Sequence, residues 1–262
     1  MTHDANHNPP PPPVRESLVR REALPVLACA AVTVAAQLGL LVWARSLLPP
    51  LEADRLGLLL GLLALVVLAP ALAASGRDAW GVFARAAAAI DASLVLLAVV
   101  AARGEALDAG GVLKLYLLWA AVGLAQTALV GLSRGPRGRA ALAVAAVALV
   151  LGLAATPFWA NQLVMQSRGA ARRAVTSAVV TANPVLATAA ALPGQAQFYW
   201  PERGILYEYT VLGRDVPARA AAWGRTALAY AAAAAILAGL AVLARRRGAG
   251  SNAEAAETTE KR

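Results

Sequence analysis

The chain has 262 residues, 59% hydrophobic and 15% charged, with a mean hydropathy of +0.59 and a formal net charge of +9. A soluble domain carries about 25% charged residues, so this composition excludes an ordinary soluble fold and predicts an all-α polytopic membrane protein. The positive charge does not indicate nucleic acid, because the arginines gather at the ends of apolar runs, where basic residues orient a membrane protein.

Residues 1–14 are polar and then proline-rich, ending in PPPPPV, and read as a cytoplasmic lead-in with extended polyproline geometry. In VRESLVRREALP, residues 14–25, Arg15, Glu16, Arg20, Arg21 and Glu22 alternate with Val14, Leu18 and Val19. That pattern predicts a short amphipathic helix along the inner interface, turning into the first span. Six apolar runs follow, at 25–44, 56–74, 86–102, 112–132, 140–160 and 226–244. Each has roughly the 17–25 residues a hydrocarbon core requires. The first begins too late and runs too long for a signal peptide, and further spans follow it. The chain therefore divides into a lead-in at 1–24, a six-helix transmembrane domain at 25–244 and a basic, then disordered, cytoplasmic tail at 245–262. Cys29, the only cysteine, lies in the first span and reads as a small buried hydrophobe.

Between spans two and three, ASGRDAWGVFAR carries Arg77, Asp78, Trp80 and Phe83. The aromatics fit interface anchoring, and the group also fits a docking surface for a cytoplasmic partner. Between spans four and five, SRGPRGR forces a turn that its three arginines hold inside. GLLLG at 57–61, with Gly123 and Gly131, permits close helix contact, and Pro70 and Pro157 are expected to bend their spans. Asp91 and Gln126 form a candidate intramembrane polar site. Asp91, about one and a half turns from the inner end of the third span, is expected to pair in the bundle interior or reach an aqueous opening. A charge at the centre of a lone lipid-facing helix costs about 2.5–3.5 kcal/mol on insertion scales. Lys114, near the outer mouth of span four, can snorkel.

Residues 174–192 are long enough to cross a bilayer, yet Asn183-Pro184 interrupts them. Proline removes a donor and disfavours helix at the residue before it. A crossing here would also put the N-terminal arginines and Arg245–Arg247 on opposite faces, whereas a re-entrant element keeps both termini cytoplasmic. Asn183 and Pro184 are thus a candidate outer gate within the outer re-entrant and aromatic segment 161–225, with a kinked true span as the competing reading. Phe198, Tyr199, Trp200, Tyr207 and Tyr209 follow, and read as an interfacial cap or a substrate contact. Arg168, Arg172 and Arg173 fall on the outer side, against the charge rule.

Enzyme chemistry is not expected. His3 and His7 are the only histidines, so no zinc-ligand spacing exists, and neither a phosphate-cradling GxxxxGK[ST] nor a GxSxG elbow occurs. No cofactor or metal is expected.

In their order, VRESLVRRE, APALAASGRDAWG (69–81), LVGLSRGPRGRAALA (129–143) and ANPVLATAAAL (182–192) resemble the parts of membrane subunits, or permeases, of the type-2 class of ABC exporters. The charged run that usually follows span two is reduced here to residues 76–81. The resemblance implies an inner (plasma) membrane subunit with re-entrant helices before its last span. It further implies a homodimer, or a heterodimer with another permease, served by a separate cytoplasmic ATP-binding subunit. Two other readings stay open: a non-transporting assembly or sensory protein, and an ion-coupled carrier using Asp91.

Overall fold

Long runs of alanine, leucine and valine leave the backbone little alternative to helix in a bilayer, because no water is present to satisfy an unpaired N–H or C=O. The computed structural model describes residues 14–192 and 222–260, with side chains at 23–192 and 222–244. The elements, in order, are α1 (Val14–Leu47), α2 (Pro50–Ala74), α3 (Ala79–Ala101), α4 (Ala109–Val130) and α5 (Pro136–Ala154). After these come the short α6 (Thr156–Trp159) and α7 (Asn161–Gln166), then α8 (Gly169–Ala182), α9 (Pro184–Ala191) and α10 (Trp223–Glu260). Six segments are long and apolar enough to cross a membrane: Ala23–Leu47, α2, α3, α4, α5 and Trp223–Ala244. The protein is an all-α polytopic membrane protein.

Several boundaries correct the sequence reading. The lead-in does not turn at Pro25: α1 runs uninterrupted from Val14 to Leu47 with that proline inside it. One lost backbone bond is tolerated where the remaining ladder continues, and a break would have freed more groups. The fifth span ends at Ala154 rather than at 160, because Ala155 and Ala160 close one helix after another on either side of Pro157. Pro136 stands at the first position of α5, where its missing donor has no intrahelical acceptor to lose.

Short connections fix the alternation of direction. Only two residues separate α1 from α2, so the helices run antiparallel, and the turns at 75–78 and 131–135 lie at the end where the first span begins, here called proximal. Arg134 Nη2 donates to Ala244 O at 3.0 Å, which brings the end of the last span to that same proximal end. The chain therefore leaves and returns to the proximal end across an even number of spans, and the stretch between α5 and the last span adds no net crossing.

The core is organised on α2, which packs against α1, α3, α4, α5 and α9. Leu58, Leu62, Leu65, Leu96, Leu118 and Trp119 are fully buried there. The GxxxG expectation holds. A methyl group at Gly57 would press on Leu41, and one at Gly61 would overlap Leu96 and crowd Trp119. Buried polar groups then tie the helices together. Gln37 Nε2 donates to Gly61 O at 3.0 Å and to Ser93 Oγ at 2.9 Å, and Gln126 Nε2 donates to Val66 O at 2.9 Å. Such bonds contribute about 0.6–2 kcal/mol each between membrane helices. Cys29 is buried in the first span, as the sequence suggested.

Candidate functional site

A single residue, Asn183, separates α8 from α9, whose axes differ by 77°. Pro184 cannot donate, and it holds the preceding residue extended, with Asn183 at φ −89° and ψ 109°. Asn183 closes α8 and caps α9: its Oδ1 accepts from Leu186 N at 2.9 Å. Its Nδ2 donates to Ala154 O at 2.7 Å and reaches Thr156 Oγ1 at 3.4 Å, so the break is anchored to the end of span five. Tyr230 OH donates to Ala182 O at 3.0 Å, and Trp119 Nε1 donates to Thr188 Oγ1 at 3.2 Å. Two backbone groups freed by the break, Leu186 N and Ala182 O, are thus met by the side chains of Asn183 and of Tyr230 on α10, as broken backbone inside a membrane protein requires, while the Trp119 contact ties α9 to α4. The interruption expected at Asn183-Pro184 is where the helix breaks, with α8 ending at Ala182 and α9 starting at Pro184.

Arg172 explains part of the outer charge that the orientation rule left over. Its Nε and Nη2 donate to Ser167 O and Met165 O at 2.9 and 3.1 Å, closing the end of α7. The aromatic cluster Phe198, Tyr199, Trp200, Tyr207 and Tyr209, and both histidines, lie outside the described residues.

At the proximal end, the turn at 75–78 holds Arg77 and Asp78 and is tightly built, while Trp80 and Phe83 lie in the first turns of α3. Asp78 is the cap of α3, with Oδ1 accepting from Gly81 N at 2.7 Å. Asp108 performs the same task for α4, accepting from Gly111 N at 2.6 Å. Arg85 Nη1 donates to Ser75 O and Oγ at 2.7 and 2.8 Å. Trp80 and Phe83 stand 53% and 48% exposed with ring centroids 6.4 Å apart, and Arg77 is exposed beside them. Gly76 sits directly against the backbone of Gly81 and Val82, so a Cβ there cannot be accommodated by a side-chain shift. Gly76→Ala is expected to lower stability by about 1–3 kcal/mol, read as a lower unfolding midpoint in detergent; an unchanged midpoint would show that the turn is loose.

Asp91 and Gln126 are not brought together. Gln126 is buried against α2, whereas Asp91 is exposed on the outer face of α3, where Tyr116 OH donates to its Oδ1 at 2.6 Å. Of the two expectations for Asp91, pairing in the bundle interior or reaching an aqueous opening, the first is corrected here. α3 starts at Ala79, seven residues before the apolar run, which puts Asp91 at mid-helix, and its azimuth follows the exposed stripe of Phe83, Leu94 and Val95.

Three participants escaped the sequence reading. Tyr116 is Asp91's partner, 25 residues away. Asp54, inside the second span, pairs with Arg45 at 2.7 Å. Arg139, read as a turn residue, is 6% exposed on the buried face of α5 that also carries Ala143 and Ala146. The Asp-x-x-Gly spacing at Asp78 and Asp108 was a legible cap signal; the other three depend on helix azimuth. No protein-family model, curated protein or solved structure matches the chain. Among the described residues, no three His, Cys, Asp or Glu side chains converge to hold a metal.

Proposed function

We propose that this chain is the membrane-spanning subunit of an ATP-driven exporter of the type-2 ABC class, working with a separate nucleotide-binding subunit. The observation that carries the reading is the broken α8–α9 pair placed between the fifth and sixth spans, with both ends of the six-span domain at one end of the bundle. The proximal end faces the cytoplasm: its two short turns border Arg77, Arg85, Arg134, Arg137 and Arg139, against Arg45, Arg55 and Arg103 at the two short distal connections, while Arg168, Arg172 and Arg173 lie in the long distal segment, where the rule loses force. Within a single copy the interior is occupied by Trp119 and the leucines of α2, so the exporter reading puts the translocation path between two membrane subunits. The junction at Asn183 then lies toward the outer exit, and Arg77, Trp80 and Phe83 offer a cytoplasmic docking surface. The same filled interior favours the second reading, an assembly or sensory protein that transports nothing.

Gentle detergent extraction separates the two. The exporter subunit is expected to co-purify with a Walker-motif ATPase whose hydrolysis rate depends on this chain, and Trp80→Ala/Phe83→Ala is expected to weaken that association about tenfold or more, as loss of two aromatic anchors does at interfaces. Recovery of the chain with no ATPase would overturn the exporter reading in favour of the assembly protein.

A further inference from the structure

The outward face formed by α3 and α4 carries a charge where lipid would be expected. Asp91 is exposed near the middle of the 23-residue α3, about 18 Å from its start and about 15 Å from its end at ~1.5 Å per residue. Leu94 and Val95 flank it on α3, and the stripe continues through exposed Leu113, Leu117 and Leu124 of α4. Tyr116 OH meets Oδ1, and no other described residue donates to the carboxylate. Lys114, the nearest basic residue in sequence on α4, makes no ion pair with it. Two residues from Tyr116, it points roughly 160° round the helix. Membrane proteins place such carboxylates in the bundle interior, in a wet cavity or against a partner charge. Gln126 and the interior lie on the other side of these helices.

We infer that this face is the docking surface for a transmembrane helix of a second membrane subunit, one carrying a lysine or arginine near its midpoint. The carboxylate supplies the charge complement, and the leucines on either side supply the apolar stripe that such a helix covers. A second copy of this chain is the poorer occupant. A two-fold axis through the face sets Asp91 against its own counterpart, and like charges so placed repel. The inference rests on α3 and α4 alone and does not depend on the exporter reading.

The test places the full donor-labelled chain in phosphatidylcholine vesicles with acceptor-labelled Leu/Ala transmembrane helices bearing Lys, Leu or Glu at the midpoint. The Lys helix is expected to associate about 3- to 30-fold more tightly than the Leu helix. Asp91→Asn removes that difference, and Asp91→Lys transfers the preference to the Glu helix. Leu117→Trp, which leaves the charge in place and obstructs the stripe, weakens the Lys helix as well. Equal binding of Lys and Leu helices, or a preference that survives Asp91→Asn, overturns the inference. Energy transfer between copies of the chain that disappears in Asp91→Asn overturns it too, by assigning the face to a second copy. Unfolding midpoints of the variants, expected to match the parent because Asp91 is exposed, separate lost binding from lost fold.

Discussion

Arg45→Met is expected to destabilise the protein by about 3–5 kcal/mol, because it strands a buried carboxylate. Arg45 Nε donates to Asp54 Oδ1 at 2.7 Å, and Nη2 stands at the same distance. The two side chains are not equally covered: Asp54 is 2% exposed and Arg45 22%. Removing the arginine leaves Asp54 with no described partner at the distal end of α2, and the charge cannot reach water without moving the helix. Removing the acid is milder, since a partly exposed guanidinium on a long stem can turn outward. Asp54→Asn should therefore cost about 1.5–3 kcal/mol, the contribution of a charged hydrogen bond. The double variant Arg45→Met/Asp54→Leu should recover most of the loss, as apolar replacements of buried pairs do. Denaturant titration in micelles, followed by helical circular dichroism, reads all three. Equal losses for the two single variants would show that uneven burial does not govern the pair. Against total stabilities of about 5–15 kcal/mol, the arginine variant sits close to failure.

How much of this was legible follows from what an apolar helix can encode. Spans two, three, four and six are set by length and by the scarcity of charge, and their sequence and structural limits agree to within three residues except at the starts of spans two and three, which the structure places six and seven residues earlier. Asn183-Pro184 was legible because the chemistry of a break is local: one residue lacks a donor and its neighbour supplies a cap. Direction around the helix axis was not. A span built from leucine, alanine and valine on every side has no polar face to mark the outside. Asp91 and Gln126 thus looked alike in sequence, although one faces out and the other in. Gln37 with Ser93 and Asp91 with Tyr116 are contacts between different helices, invisible to any window along the chain. Arg139 was misplaced for a related reason. The GPRG run signals a turn, but Pro136 starts a helix, and the third residue after it is already buried.

Asn183→Ala is expected to cost about 2–4 kcal/mol and to relax the 77° bend. The estimate combines two losses at one buried side chain, which is 1% exposed. The cap on Leu186 N contributes about 0.5–2 kcal/mol. Leaving Ala154 O without its donor adds about 1–3 kcal/mol, the desolvation of a buried acceptor. Asn183→Asp separates these parts. It keeps an oxygen for Leu186 N but brings a carboxylate against the Ala154 carbonyl, so it should be at least as damaging as alanine. Pro184→Ala supplies the opposite control. It restores a donor while leaving both asparagine bonds intact, and the bend should persist if the anchor to span five holds it. Spin labels at positions 173 and 190 would report the angle directly: their separation should grow in Asn183→Ala and stay constant in Pro184→Ala. A straightened pair in the proline variant with an unchanged asparagine variant would reverse the assignment, making the missing backbone donor, rather than the tether to Ala154, the cause of the break. Because α9 packs among α2, α4, α5 and α10, straightening must displace it from that position. Any function that depends on this element, transport included, should therefore be lost together with the bend.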